Sequence, residues 1–456
     1  MVAAPAKRVF GIETEYGISC LIPGQRNLQA DELARYLFSD LVEKHRTNNV
    51  FLPNGGRLYL DVGSHPEYAT AECNQIQDVI AQELAGDLIV QDMARRAEER
   101  LEHEGRPAKV FVFKNNTDSI GNSFGCHENY SIRRRADQLN QLDGLLPFLA
   151  TRQIFLGAGK LLKTSAGTQY VISQRADHLW DSISSATTRS RPIINTRDEP
   201  HADSSQYRRL HVISADSNRS QVQMLLKIAS MDLLLALFEL GGLPVRLRIA
   251  NPMRTIRDVS RDLELTGKLE LEDGTTISTL DLQSWYLELI TANLSRFEFA
   301  PSGLHLQAIE IWSRLLSDFA IGNFEFADSV LDWRIKYQLL SKYAQAKDLH
   351  WDDPELVQID FKYHDLHHGL FEILRSEFGI PEVVSQIDAE SAKLTPPQTT
   401  RAKLRGDFIE QAERAGQSIA VDWMHLKVLG PEERSLSLGE PNVFEDDRIN
   451  RLLNQN

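Results

Sequence analysis

Apolar and polar positions alternate along residues 57–62, and a β-strand sends successive side chains to opposite faces. Arg57, Tyr59 and Asp61 therefore share one face, and Leu58, Leu60 and Val62 share the other. The apolar face reads as core, whereas an arginine, a phenol and a carboxylate together suit a polyanion with a metal nearby. Gly63 and Ser64 allow a bend, followed by His65, Pro66, Glu67, Tyr68, Thr70 and Glu72. Residues 8–16 alternate in the same way, placing Gly11, Glu13 and Glu15 on one face and Ile12, Thr14 and Tyr16 on the other. Two carboxylates on one strand face repel, and a hard divalent cation relieves that repulsion. Either segment alone would read as a solvated strand face or an edge strand. As partners they read as the two halves of one site.

The remaining pattern supplies the surroundings. Residues 31–44 have helical periodicity, with Leu33, Leu37 and Leu41 or Tyr36 and Phe38 facing the core and Asp31 as the cap. Residues 48–56 return the chain by a turn-rich connector, and 75–103 form a long amphipathic helix. A strand is predicted over 109–114, then a Gly-containing loop, then a strand from His127 on which His127, Asn129 and Ser131 face away from Glu128, Tyr130 and Ile132. Residues 221–241 read as a buried helix, and 282–378 as several helices, including 282–296, 306–319 and 329–347. Pro396 and Pro397 break the helical pattern. The expected division is a large domain over 1–395 and a small one over 396–456, holding a helix at 402–415, a strand at 419–429 and a short terminal helix.

Composition narrows the class. A chain of 456 residues exceeds what one core usually serves. With 64 acidic against 50 basic residues the net charge is −14, which argues against a general nucleic-acid or membrane-surface binder. Cys20, Cys73 and Cys126 are widely spaced with no CxxC pair, so neither a disulfide framework nor a structural zinc site is expected. No segment carries about 20 uninterrupted apolar residues, and the first residues lack the apolar core of a signal peptide. The expectation is a cytoplasmic protein, neither exported nor membrane-inserted.

Residues 184–217 form a second polar concentration. Arg189, Arg191, Arg197, Arg208 and Arg209 suggest an anion site, because the guanidinium fork matches phosphate and carboxylate oxygens. His211, read as opening a strand, is a candidate metal ligand. His127 ranks behind the glutamates, since a satisfied structural histidine is the commoner outcome.

The segments GIETEYG (11–17), NGGRLYLDVGSHPEYATAEC (54–73), FKNNTD (113–118), CHENY (126–130), TTRSRPIINTRDEPHAD (187–203), YRRLHV (207–212), PPQTTRAKLRG (396–406) and VDWMHLK (421–427) resemble the Pup ligase/Pup deamidase family almost from end to end. The resemblance implies an α+β, glutamine-synthetase-like fold: a curved antiparallel sheet packed with helices, plus a small C-terminal domain. It implies an ATP-dependent ligase that phosphorylates the C-terminal glutamate of the small disordered protein Pup and joins it to lysines of target proteins, marking them for proteasomal degradation. Matched residue by residue, Glu13, Tyr59 and Glu67 resemble magnesium ligands, Arg57, Thr70 and Trp423 resemble ATP contacts, and Asp61 resembles the catalytic base. No family role attaches to Glu15, His127, Glu128, His211 or the arginines. On a continuous strand Val421, Trp423 and His425 would share a face, with Trp423 offering a flat surface to adenine.

Two other readings compete: a Pup deamidase and depupylase of the same fold, and a catalytically silent nucleotide-binding adaptor. The intact GIETEYG, and the absence of a long insertion between it and NGGRLYLD, favour the ligase.

Overall fold

The structure is a computed structural model that describes residues 7–61, 63–135, 138–186, 191–241, 243, 247–431 and 434–454; Val62 and Arg189 lie outside the described residues. Its centre is an eight-stranded sheet built from β1 (Phe10–Glu15), β2 (Asn49–Phe51), β3 (Arg57–Leu60), β4 (Pro66–Ala69), β5 (Cys126–Arg133), β6 (Asp181–Ser184), β7 (Pro192–Asn195) and β8 (Tyr207–Val212), in the order β6-β7-β8-β5-β1-β4-β3-β2. All neighbours are antiparallel except β6 and β7, which run parallel, so the sheet is mixed where a purely antiparallel one was expected. One face is apolar. Phe10, Ile12, Tyr130, Ile132, Leu210 and Val212 join a core with the helices Ile76–His103 and Gln221–Glu239. The second helix is apolar enough to cross a membrane by length and composition, but its apolar window is 94% buried inside the protein.

The 31–44 helix breaks in two, Ala30–Leu37 and Ser39–His45, at Phe38 (φ −88°, ψ 3°). Leu33, Leu37 and Phe38 are all buried, and two adjacent core positions exceed one helical stripe, so the axis turns between them. Gln29, not Asp31, is the cap, in a capping box with Glu32. The connector at 48–56 contains β2, which forms a hairpin with β3 through a turn where Gly55 has φ +80°. Three residues are too few to show a period of two.

A helix at Arg401–Arg414 packs with a three-stranded sheet (Ile419–Val421, His425–Val428, Arg434–Ser437) around its own apolar cluster, which includes Phe408, Leu426 and Leu452. The single strand expected over 419–429 is therefore a hairpin. Asp422 accepts the backbone N–H groups of Met424 (2.7 Å) and His425 (2.8 Å) and turns the chain, so Trp423 sits in the turn rather than on a face shared with Val421 and His425.

Candidate active site

Strand register gathers the polar face. Glu13 lies opposite His127, Glu15 opposite Glu67, Tyr59 opposite Glu67, and His211 opposite Asn129. Residues opposite each other project to the same side, so Arg57, Tyr59, Glu67, Glu13, Glu15, His127, Arg209 and His211 line one surface drawn from five strands. Asp61 follows β3 in a turn, its N–H bonded to His65 O at 3.0 Å and its carbonyl accepting Ser64 N–H at 3.1 Å.

Two groups of candidate ligand atoms share His127: Glu13, His127 and His211, and Glu15, Glu67 and His127, each within a 4.8 Å span. His127 Nδ1 is 3.2 Å from Glu13 Oε2, and His211 Nε2 is 3.8 Å from the same oxygen. Burial raises the Glu13 carboxyl, but the hydrogen bond to His127 and the nearby Arg209 charge outweigh it and hold Glu13 far below the usual carboxylate range. Glu67 goes the other way: burial first, then the charges of Glu15 and Glu13, push it well above that range. Tyr59 is hydrogen-bonded to Glu67; burial and the charges of Glu13 and Glu67 raise its phenol far above normal, so it keeps its proton. Burial lowers His211 to about 3, and neither of its ring nitrogens has a hydrogen-bond partner. Crowded carboxylates beside a neutral, unpartnered imidazole are a donor set that suits a cation.

Next to these groups a cavity of about 90 Å³ is lined by Glu13, Thr70, His201, Arg209, Arg401 and Trp423, among others. Thr70 Oγ1 accepts the Ile12 N–H at 3.0 Å, tying the cavity wall to β1. Arg57 stands apart from this cavity. Its guanidinium lies 4.4 Å over the Tyr59 ring and donates to Asn49 Oδ1 at 2.8 Å. Trp423 is carried to the sheet by a charge clamp: Glu72 pairs with Arg401 (2.8 Å) and with Arg405, which lies 4.9 Å over the Trp423 ring and donates to its carbonyl at 3.1 Å. Burial raises the Glu72 carboxyl, yet Arg405 and Arg401 override that and hold it at about 2.

Among the described residues, three of the arginines expected to form an anion site are met by carboxylates. Arg197 pairs with Glu199 and Arg208 with Asp198, while Arg209 faces Glu13 at 3.7 Å. His211 is the fifth residue of its six-residue strand rather than its opening. Glu128 points to the opposite face, into a buried pair with Arg152 and a bond from the Tyr130 hydroxyl at 2.7 Å, and is structural. Sequence reasoning gave no role to Glu72, Arg401, Arg405 or His201. All four stand inside motifs already singled out, and only the contacts of the first three reveal the clamp.

Trp423→Ala is expected to raise the KM for ATP while leaving the melting temperature near that of the parent chain, because the ring is half-buried against Phe51 and Arg405 and lies outside the apolar cluster. Glu72→Ala leaves two buried guanidiniums unpaired and should lose about 3–5 kcal/mol as well as nucleotide affinity. Steady-state ATP titrations and thermal melts separate the two. Equal destabilisation by both would show that Trp423 is a core residue.

An eight-stranded sheet with carboxylates on one face, beside a cavity walled in part by Trp423, has the α+β, glutamine-synthetase-like fold of an ATP-dependent ligase. The chain belongs to the Pup-ligase family, whose model, described as Pup-ligase protein, matches residues 8–427. It is 47% identical over 449 residues to the Pup–protein ligase of Actinosynnema mirum, covering 98% of this chain and 99% of that one. The crystal structure of the complex between the prokaryotic ubiquitin-like protein Pup and its ligase PafA superposes with a TM-score of 0.93 at 42% identity, covering 98% of this chain and 91% of that one. The Pup ligase PafA in complex with ADP gives 0.83 at 42% identity, covering 95% and 96%.

Proposed function

We propose that this chain uses ATP to phosphorylate the C-terminal glutamate side chain of Pup and joins it through an isopeptide bond to lysines of target proteins, marking them for proteasomal degradation in the cytoplasm. The observation that carries the reading is the crowd of Glu13, Glu15 and Glu67 on one sheet face, beside a cavity walled by Trp423 and Thr70. The Pup-bound and ADP-bound relatives support Pup and adenine nucleotide as ligands.

In this reading Trp423 offers its ring to adenine. Thr70 shapes the cavity wall, and Arg57 holds a guanidinium on the phosphate side, its plane set by Tyr59 and Asn49. Glu13 and Glu67 would hold Mg²⁺, with Tyr59 joining through its bond to Glu67. When bound, the ion neutralises phosphate charge and aligns the transferring group. Arg209 and His127 hold the Glu13 carboxylate in place from the other side. The lysine arrives as an ammonium and attacks only as the free amine, so a base is required, and Asp61, in the turn that follows β3, accepts that proton. The carbon–nitrogen bond then forms as phosphate leaves.

The chain between β1 and β3 is a strand at Gly17–Leu21, two short helices and β2, with no long insertion that would mark the deamidase branch. Incubating the protein with Pup ending in glutamate or in glutamine, plus ATP, Mg²⁺ and a lysine-bearing acceptor, tests the reading. Conjugate from the glutamate form with little deamidation of the glutamine form is expected; robust deamidation without conjugate would refute the ligase.

A further inference from the structure

Away from the sheet face, Glu98, His367 and His368 bring one carboxylate and two imidazoles to a single point. Glu98 lies near the end of the Ile76–His103 helix, and the histidines lie in the turn that follows the Pro354–His364 helix. His367 Nε2 stands 3.1 Å from Glu98 Oε2, His368 Nε2 stands 3.0 Å from Oε1, and one donor atom from each residue fits within a 4.8 Å span. Adjacent residues of an extended chain point to opposite sides, so two consecutive histidines converge only in a turn that aims them. Asp365 makes that turn: its carboxylate oxygens accept the backbone N–H groups of His367 (3.1 Å) and His368 (3.2 Å), and the rings lie 4.1 Å apart. The frame is anchored as well. Leu366 N–H donates to Val112 O at 2.7 Å, and Glu98 Oε1 accepts the Val110 N–H at 2.7 Å.

We propose that Glu98, His367 and His368 bind a zinc-type transition-metal ion that staples the 365–368 turn to the long helix. Two imidazole nitrogens and one carboxylate oxygen, with a fourth position open to water, form a zinc donor set, whereas Mg²⁺ favours oxygen alone. Neighbouring ligands of a tetrahedral zinc stand roughly 3.3 Å apart. The two imidazoles face different oxygens of the one carboxylate, so a metal held by a single Glu98 oxygen draws in a set of three atoms that lie within 4.8 Å of one another. Each imidazole moves its proton from Nε2 to Nδ1, and the metal replaces the two hydrogen bonds to Glu98. With side chains 14% and 34% exposed, the histidines are reachable from solvent. The staple would bear on the ladder that continues from Leu366 to Lys114, whose N–H donates to His364 O at 2.9 Å.

Glu13, His127 and His211 offer a similar donor set, so the test is made with that site disabled. Tag-free Glu13→Ala, Glu13→Ala/His368→Ala and Glu13→Ala/Glu98→Gln chains are dialysed against micromolar Zn²⁺, and the bound metal is counted. The single variant is expected to hold one more zinc per chain than either double variant, and to melt at a higher temperature with zinc than without. Equal zinc contents in the three chains overturn the proposal. His368→Ala alters a partly exposed ring, and Glu98→Gln keeps an acceptor for Val110, so both double variants retain the Asp365 bonds to the backbone of the turn.

Discussion

Asp61→Asn is expected to abolish isopeptide formation, with a loss of about 10²–10⁴-fold, the range of a positioned general base. The amide keeps the shape of the side chain, and the turn that places it depends on backbone bonds to His65 and Ser64, so ATP and Pup binding should persist. The left-handed positions at Gly63 (φ +114°) and Ser64 (φ +67°) are likewise untouched. Conjugation assays beside calorimetric titration of nucleotide and Pup read both outcomes. Near-normal conjugation by the variant would remove Asp61 from its role.

Glu67→Gln is expected to separate stability from activity. A buried carboxyl whose pKa is raised by burial and by Glu15 and Glu13 costs stability at neutral pH, because the unfolded chain releases that proton more readily than the folded one. The cost disappears as pH falls below the ordinary carboxyl range. Without metal at pH 7 the variant should therefore melt at or above the temperature of the parent chain. With the carboxylate gone, Mg·ATP should no longer stabilise it, and turnover should fall about 10²–10³-fold, as when a group stabilising transition-state charge is removed. Melting curves with and without Mg·ATP decide the matter: a lower metal-free melting temperature with an unchanged Mg·ATP response would contradict this placement of Glu67.

How much of this was legible beforehand depends on how local each feature is. The faces of β1, β3 and β5 follow from alternation, which is written within a few consecutive residues, and the structure keeps Glu13 with Glu15, Arg57 with Tyr59, and His127 with Asn129. Register is a different matter. That Glu15 meets Glu67 and Glu13 meets His127 depends on strands 52 and 114 residues apart, and a single strand carries no trace of it. The roles proposed for these residues come from the family resemblance, while the Glu72–Arg401 contact, 329 residues apart in sequence, came only with the fold. The hairpin at Asp422 and the break at Phe38 were hidden because one side-chain cap and one extra core residue overrode patterns that looked continuous.

The claim at the centre of this account is that the polar sheet face couples phosphorylation of a carboxylate to attack by an amine. It is tested most directly by labelling the side-chain carboxylate of Pup's C-terminal glutamate with ¹⁸O and following the label through one round of conjugation with ATP, Mg²⁺ and a lysine acceptor. An acyl phosphate transfers one labelled oxygen to the departing phosphate, so mass analysis of the inorganic phosphate should find one ¹⁸O for each isopeptide formed. Unlabelled phosphate, with ATP consumed and conjugate made, would contradict the account.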